Sequence, residues 1–164
     1  MARAKIGVVG IGMVGTQVAR WFGEVQKYRS GSTLFLYDSD PAKNCNDDVS
    51  AADIIFLCLP TPGLPHGACD VRCLIDTVPR IKGEKIIVIK STVPPGTTEN
   101  LQYANPQHKL LFNPEFLREK TAWEDFCNPD SQIVGFTEKS RDVAFDIMLF
   151  LPRAKFTSPA ISVR

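Results

Sequence analysis

The sequence of 164 residues lacks the features that would direct it to a membrane or to nucleic acid. No apolar run approaches the roughly 20 residues that a membrane-spanning helix needs. With 19 basic and 18 acidic residues the net charge is +1, so no field that would attract nucleic acid or an anionic membrane is expected. No apolar core of signal-peptide length precedes the first strand. We therefore expect a cytoplasmic protein whose partners include neither nucleic acid nor a membrane.

The cysteines also lack a pattern, because the five of them form an odd number with no disulfide framework spacing. Cys58 lies in an apolar segment and is expected to be a small buried hydrophobic residue. Cys69 and Cys73 are four residues apart and could share a helix face, but a structural zinc site needs four ligands, so no metal site is predicted. Cys127 precedes a predicted loop and could be exposed, although nothing local activates its thiol.

The most informative segment is a β-branched strand that runs into the glycine-rich turn Gly10-Ile11-Gly12-Met13-Val14-Gly15. Gly10 permits the tight turn, Gly12 leaves the backbone open to phosphates, and Gly15 allows the next helix to pack closely. The amino terminus of that helix, at Met13 and Val14, offers free N–H groups to an anion. The pattern predicts that this turn binds the pyrophosphate of a dinucleotide. The alternative is a glycine-rich turn that binds nothing.

A second strand, residues 33–37, ends at Asp38. A carboxylate in this position can accept hydrogen bonds from both ribose hydroxyls of an adenosine and repels a 2′-phosphate. The nearest basic residue downstream is Lys43, so we predict NAD rather than NADP as the cofactor. Asp38 lies somewhat farther from Gly10 than the usual offset of roughly 20 residues. The alternative is that Asp38 only begins the turn of residues 38–41.

Strands and helices alternate along the rest of the chain. We predict strands at residues 52–59, 85–89, 109–112, 132–136 and 154–156, and helices at 70–81, after Pro94 and at 141–151. The alternation predicts an α/β fold, a doubly wound and mostly parallel Rossmann sheet with helices on both faces, in one domain over residues 1–164. Residues 41–50 are too few for a crossover of a dozen or more residues, so one crossover helix is predicted to be shortened or missing.

Polar and turn-forming residues follow the predicted strands at their carboxyl ends. Because these ends meet at one edge of a parallel sheet, the residues there would line a single crevice. The set comprises Pro60, Thr61, Ser91, Thr92 and Glu115. The hydroxyls could bind a ligand, and the Glu115 carboxylate could act as a general base. Taken singly, each could instead be a loop residue that caps a helix.

Four stretches carry a resemblance to a known family, namely Lys5–Gly15, Ala52–Pro62, Ile89–Glu99 and Phe112–Gly135. With these motifs the chain resembles the N-terminal, NAD-binding domain of the UDP-glucose/GDP-mannose dehydrogenase family, the nucleotide-sugar 6-dehydrogenases. The resemblance implies oxidation of the C6 alcohol of a nucleotide sugar to a carboxylate, with two hydride transfers to NAD. It also implies a cysteine that holds the intermediates as a thiohemiacetal and then a thioester.

The same resemblance implies roles for individual residues. Thr92 and Glu115 would be catalytic, while Phe116 and Leu117 would meet the sugar nucleotide. Glu119 would contact the nicotinamide side. The remaining cofactor contacts would come from Pro60, Thr61 and Ser91 together with the glycine turn and Asp38.

Departures from the family pattern limit what this chain is expected to do. The nucleophilic cysteine, the dimerisation helix and the sugar-nucleotide domain of the family come from segments that would follow Arg164, so we expect no activity from the chain alone. The substrate would bind through those segments, and the full-length parent would form a homodimer. Lys120 stands where the family usually has glycine, and Ser131 where it has arginine. The alternatives are a non-catalytic dinucleotide-binding module or scaffold, and a fragment of a hydroxy-acid dehydrogenase.

Overall fold

Seven strands form one sheet in the computed structural model, which describes residues 3–65, 67–155 and 161–162. The strand order is β2-β1-β3-β4-β5-β6-β7. The first five strands in this order are parallel, β6 runs antiparallel to β5, and β7 is parallel to β6. The strands are β1 Ile6–Val9, β2 Leu34–Tyr37, β3 Ile54–Leu57, β4 Ile86–Ile89, β5 Lys109–Phe112, β6 Gly135–Phe136 and β7 Ile161–Ser162. The predicted doubly wound, mostly parallel sheet is confirmed.

The described residues include five α-helices, several of which begin or end in tighter or wider turns. They are α1 Met13–Arg20, α2 Arg72–Thr77, α3 Thr97–Ala104, α4 Ala122–Cys127 and α5 Ala144–Phe150. The first continues as a π-helical segment, Trp21–Val25, and 3₁₀ turns occupy Val78–Arg80, Glu119–Thr121 and Glu138–Val143. Among the described residues, no helix has the length and apolar character needed to cross a bilayer.

Two hydrophobic clusters lie on opposite faces of the sheet because successive side chains of a strand point to opposite sides. Ile6 and Val8 of β1 pack in one cluster, which α1, α4 and α5 cover with Val18, Phe126 and Ile147. On the other face, Val9 packs with residues of α2 and α3, including Leu74 and Leu101. The prediction of helices on both faces is therefore confirmed.

The connection from β2 to β3 contains no α-helix, as the short length of residues 41–50 predicted. It has two 3₁₀ turns, Pro41–Lys43 and Val49–Ala51. Val49–Ala51 crosses the sheet above Gly7, where an added Cβ would lie 3.4 Å from the Val49 Cβ and 3.2 Å from the Ala52 Cβ. The absence of a side chain at Gly7 thus lets a single turn take the place of the crossover helix.

The limits of several predicted elements differ from the structure. The predicted helix 141–151 begins only at Ala144, after the 3₁₀ turn Glu138–Val143, and the predicted strand 52–59 is reduced to Ile54–Leu57. The predicted helix 70–81 begins only at Arg72, because the Asp70 carboxylate accepts from the Arg72 N–H at 3.0 Å, and Pro79 lies in its 3₁₀ end. The predicted strand 132–136 is reduced to Gly135–Phe136. The strand predicted at 154–156 is wrong for Ala154 and Lys155, since Lys155 N–H donates instead to Pro129 O at 3.0 Å, and Phe156 lies outside the described residues.

Acidification is expected to destabilise the domain through His108, which is fully buried. Burial lowers the pKa of His108, whose Nδ1 accepts from the Lys85 N–H at 3.3 Å. Below about pH 6.5 the histidine of the unfolded chain binds a proton, whereas the buried His108 of the folded chain stays neutral. The free energy of unfolding therefore falls by up to about 1.4 kcal/mol for each pH unit below that pH. Urea unfolding of the wild type and His108→Asn at several pH values measures the loss.

The loss should be smaller in His108→Asn, because asparagine can accept the same hydrogen bond but does not titrate. Replacing the chain's other histidine by asparagine (His66→Asn) is the matched control. An identical pH dependence in the wild type and His108→Asn contradicts the prediction.

Candidate functional site

The glycine turn between β1 and α1 is shaped by two glycines that no other residue can replace. Gly10 has a φ of +88°, and a Cβ there would lie 2.5 Å from Cys58 O. A Cβ on Gly15 would lie 1.8 Å from Gly10 O, so the helix could not approach the strand. Gly12 differs, because a Cβ there would meet nothing within 4 Å. It faces open space, as expected of a backbone that admits a phosphate.

Asp38 stands beside this turn at the end of β2. Its Oδ2 accepts from the Ile11 N–H at 2.6 Å and its Oδ1 from the Asp40 N–H at 2.8 Å. Both hydrogen bonds lower the pKa of Asp38, and the bond from the Asp40 N–H has the larger effect. The side chain is therefore a carboxylate at neutral pH. Each oxygen keeps a further lone pair for a ribose hydroxyl. Asp38 is therefore part of the turn and not merely the start of the next loop.

A groove with a volume of about 1010 Å³ runs along the turn at the carboxyl end of β1. In the sheet, β1 lies between β2 on one side and β3 on the other, so the strand order reverses here. Dinucleotides bind at this switch point in doubly wound sheets. The predicted cofactor residues that line the groove are Gly10, Gly12, Met13, Val14, Asp38 and Pro60. Asn46 and Val49 of the shortened crossover, together with α2, form the opposite wall. Gly15 supports the turn from beneath, as its contact with Gly10 shows.

A second crevice of about 260 Å³ continues from the groove across the ends of β3, β4 and β5. Met13 and Val14 line both spaces. The predicted residues that meet in this crevice are Thr61, Ser91, Thr92, Glu115 and Leu117. Four residues predicted from the ends of three strands, and Leu117, which the family resemblance added, thus surround one small space next to the glycine turn.

The hydroxyl groups in this crevice hold its walls together. Thr61 Oγ1 donates to Thr92 O at 2.8 Å, which ties the loop after β3 to the loop after β4. Ser91 Oγ donates to Leu59 O at 2.7 Å. With their protons used in this way, both oxygens remain as acceptors toward a ligand. Thr92 keeps an exposed side chain.

Phe116 and Glu119 lie outside this crevice. Phe116 is 66% exposed and, with Leu117, lines an adjoining cavity of about 630 Å³ that reaches Ser131. Glu119 is exposed at the start of the 3₁₀ turn before α4, next to Lys120. The roles that the family resemblance implies for Phe116 and Glu119 remain predictions.

The structure adds Lys90, which the sequence reasoning did not single out, and shows that Asn113, one of the residues after the fifth predicted strand, is its partner. The Lys90 side chain is fully buried beneath the crevice, where its Nζ donates to Asn113 Oδ1 at 2.5 Å and pairs with Glu115 Oε1. Burial disfavours the charged form of Lys90 and lowers its pKa, whereas the paired Glu115 carboxylate favours the charged form. A signal was present, because Lys90 directly follows the apolar strand Ile86–Ile89 at its carboxyl end, where sites form.

The cysteines do not form a cluster. Cys69 forms an isolated antiparallel β-bridge with Gly63 in a loop and Cys73 lies on α2, so the two do not share a helix face. Cys58 lines the crevice, and burial raises the pKa of its thiol to about 12. Cys127 is half-buried at the end of α4. In the part of the chain that the structure describes, no three Cys, His, Asp or Glu side chains are grouped to hold a metal.

Cofactor binding is expected to protect Cys73 from thiol reagents, because its exposed side chain lines the groove. At an NAD⁺ concentration ten times Kd, about one molecule in eleven is free, so labelling of Cys73 should slow about tenfold. Mass spectrometry of alkylated peptides follows the rate, with half-buried Cys127, which lies outside the groove, as the internal reference. Equal rates for Cys73 with and without NAD⁺ contradict the predicted position of the cofactor.

The fold and the turn together define a class of protein. A glycine turn between a parallel strand and a helix, at the switch point of a doubly wound sheet and beside a carboxylate that ends the next strand, is a dinucleotide-binding Rossmann domain. Residues 39–149 match the UDP-glucose/GDP-mannose dehydrogenase family, NAD binding domain, and the chain belongs to this family. The prediction of NAD as the cofactor is confirmed. The family comprises NAD-dependent nucleotide-sugar dehydrogenases, as the suspected resemblance had indicated.

Two relatives are similar to this chain over part of their length. An uncharacterized protein of Methanocaldococcus jannaschii is 35% identical over 134 residues, which cover 77% of this chain and 14% of that protein. The UDP-glucose 6-dehydrogenase of Rickettsia conorii is 36% identical over 105 residues, 59% of this chain and 24% of the enzyme. The chain thus spans less than a quarter of the length of these two relatives.

Among solved structures, the GDP-mannose dehydrogenase of Pseudomonas aeruginosa superposes with a TM-score of 0.75 at 22% identity. The superposition covers 97% of this chain and 46% of that one. At this level of identity the likeness concerns the fold. It extends over nearly the whole chain.

Proposed function

We propose that this chain is the NAD-binding part of a nucleotide-sugar 6-dehydrogenase, of the type that converts UDP-glucose to UDP-glucuronate with two hydride transfers to NAD. One observation carries the proposal. The crevice at the carboxyl edge of the sheet holds Thr92 and Glu115 directly beside Met13 and Val14 of the glycine turn. Groups suited to acid–base chemistry are thereby next to the place where a bound dinucleotide would end.

The residues present fit NAD. The Gly10–Gly15 turn is open at Gly12 for the pyrophosphate, and the Asp38 carboxylate is ionised for the ribose hydroxyls. When bound, NAD supplies the nicotinamide that accepts a hydride. Three aspartates line the groove, Asp38, Asp47 and Asp48, against one arginine, Arg80. Their negative charges would repel the 2′-phosphate of NADP and so disfavour it as cofactor.

The chain's own residues would then handle the alcohol. Glu115 is 15% exposed in its side chain and opens toward the crevice, where its carboxylate can accept a proton from a hydroxyl. Thr92, exposed at the same crevice, can orient that hydroxyl or a water molecule. Phe116 and Leu117 would contact the sugar nucleotide from the adjoining cavity of about 630 Å³.

We propose that the isolated chain binds the cofactor without turning over substrate. The family resemblance implies a cysteine nucleophile, which must be a thiolate to react. Cys58 lines the crevice, but the pKa of about 12 keeps it as a thiol at neutral pH. The nucleophile, most contacts to the nucleotide sugar and a homodimer interface would belong to other parts of the full-length parent.

Calorimetric titration with NAD⁺, NADP⁺ and UDP-glucose, together with NADH absorbance after adding both NAD⁺ and UDP-glucose, tests the proposal. We expect binding of NAD⁺, much weaker binding of NADP⁺ and no NADH formation. Failure of NAD⁺ to bind contradicts the cofactor role, and NADH formation contradicts the inactivity. If NAD⁺ and NADH bind with different affinities and change the self-association of the chain, a non-catalytic module that senses redox state is favoured instead.

A further inference from the structure

The proposed function leaves one buried charge unexplained. The Lys90 side chain has no exposed surface, although an ammonium group removed from water is costly unless it is paired. Lys90 is 2% exposed as a whole residue and lies at the inner wall of the crevice. Its two polar partners are Asn113, which follows β5, and Glu115, two residues farther along.

Asn113 fixes the position of the Lys90 nitrogen. The Asn113 side chain is buried, and its Nδ2 donates to Gln132 Oε1 at 2.9 Å and to Ile133 O at 2.7 Å. With the amide nitrogen engaged twice, the amide oxygen must face Lys90, where it accepts from Nζ at 2.5 Å. The ammonium group is therefore held by a network that does not depend on Glu115.

The other groups that face Lys90 are uncharged. The Cys58 thiol from the end of β3 is neutral because burial raises its pKa. The Phe126 ring of α4 lies with its centroid 5.7 Å from Nζ, in the range of a cation–π contact. Among the described residues, the ion pair of Lys90 is with Glu115 alone. The fixed positive charge thus has a single carboxylate to act on.

We propose that Lys90 is a positioning residue, which keeps Glu115 ionised and directed into the crevice so that it can accept a proton from a hydroxyl bound there. In that transfer the O–H bond of the ligand breaks and an O–H bond forms on the Glu115 carboxylate, while the Lys90 ammonium keeps its protons. The inference rests on the proposed function, since it supplies the state in which Glu115 would act as a base.

Carbon-13 NMR of the Glu115 carboxyl during a pH titration of the full chain tests the inference. An opposite charge within about 4 to 6 Å moves a carboxyl titration by about 1 to 3 pH units. Lys90→Met should therefore move the midpoint of Glu115 upward by about that amount, and Lys90→Arg, which keeps the charge, should restore most of it. Lys109→Met is the matched control, because Lys109 pairs with Asp142 and not with Glu115.

An unchanged midpoint in Lys90→Met overturns the inference, as does an equal change in Lys109→Met. If Lys90→Met does not fold by circular dichroism, Glu115→Gln provides the reciprocal test. The carbon-13 signal of the Lys90 side chain should then titrate at lower pH than in the wild type, and an unchanged titration overturns the inference. NAD⁺ titration of the wild type is independent of these signals. A chain that shows the Glu115 shift but no NAD⁺ binding refutes the proposed function while the coupling of Lys90 and Glu115 stands.

Discussion

Replacing Gly15 by alanine is expected to lower the free energy of unfolding by about 3 kcal/mol or more and to abolish NAD⁺ binding. The added Cβ would lie 1.8 Å from Gly10 O, a backbone atom that cannot move without opening the turn. Gly10 is itself confined by Cys58 O, so the strain cannot be relieved on that side. Urea unfolding and calorimetric titration with NAD⁺ measure the two effects.

Gly12→Ala is the matched control, because the same methyl group is added three residues earlier in open space. Its stability should stay within about 1 kcal/mol of the wild type, the size of a change of residue at a helix N-cap. NAD⁺ binding should nevertheless weaken, since the methyl group occupies the approach of the pyrophosphate. If Gly15→Ala is as stable as Gly12→Ala, the packing assigned to Gly15 is wrong.

Asp38→Ala is expected to weaken NAD⁺ binding by about 10- to 100-fold, because a hydrogen bond to a charged group contributes about 1.5 to 3 kcal/mol. The substitution also removes the acceptor of the Ile11 N–H inside the glycine turn. Because the carboxylate that repels a 2′-phosphate is lost, the preference for NAD⁺ over NADP⁺ should shrink. Calorimetric titration with both cofactors measures the ratio.

Asp40→Ala is the corresponding control. Its carboxylate accepts from the Ala42 N–H at 3.0 Å and does not line the groove. NAD⁺ affinity should therefore be preserved in Asp40→Ala. Equal losses in the two variants would show that the loop as a whole, and not the Asp38 carboxylate, determines affinity.

The central strands were predictable because their signals are local. β4 and β5 are runs of apolar residues bounded by polar turns, and β5 was placed at its observed limits. α4 was missed because it has only six residues, with apolar Trp123 and Phe126 three apart, and such a short segment carries little periodicity. The two-residue strands at the far edge depend on pairing with distant partners, so β6 was predicted too long and β7 was predicted at the wrong residues.

The residues of the site also divide into those that the sequence predicts and those that it does not. The structure brings Thr61, Thr92 and Glu115 to one crevice because the ends of parallel strands share an edge, a rule that needs only the order of elements. Their functional roles remain predictions. Lys90 also follows the end of a strand, but its burial could not be predicted, since a lysine in that position is ordinarily solvated. Its burial follows from contacts with Asn113 and Glu115, more than twenty residues away in the chain.

The shortened crossover also determines whether the edge strand β2 can pair with a strand of another molecule. β2 is the outermost strand on its side, and such a strand normally offers unpaired N–H and C=O groups that can recruit another chain into an aggregate. Here Leu36 N–H donates to the Asp47 carboxylate, Leu36 O accepts from the Asp47 N–H, and Asp38 N–H donates to Cys45 O. In the same way, Leu34 N–H donates to Arg29 O, and Leu34 O accepts from the Gly31 N–H. The segment that replaces a helix therefore pairs the outward-facing backbone groups of β2, so this edge of the sheet is protected against pairing with a strand of another molecule.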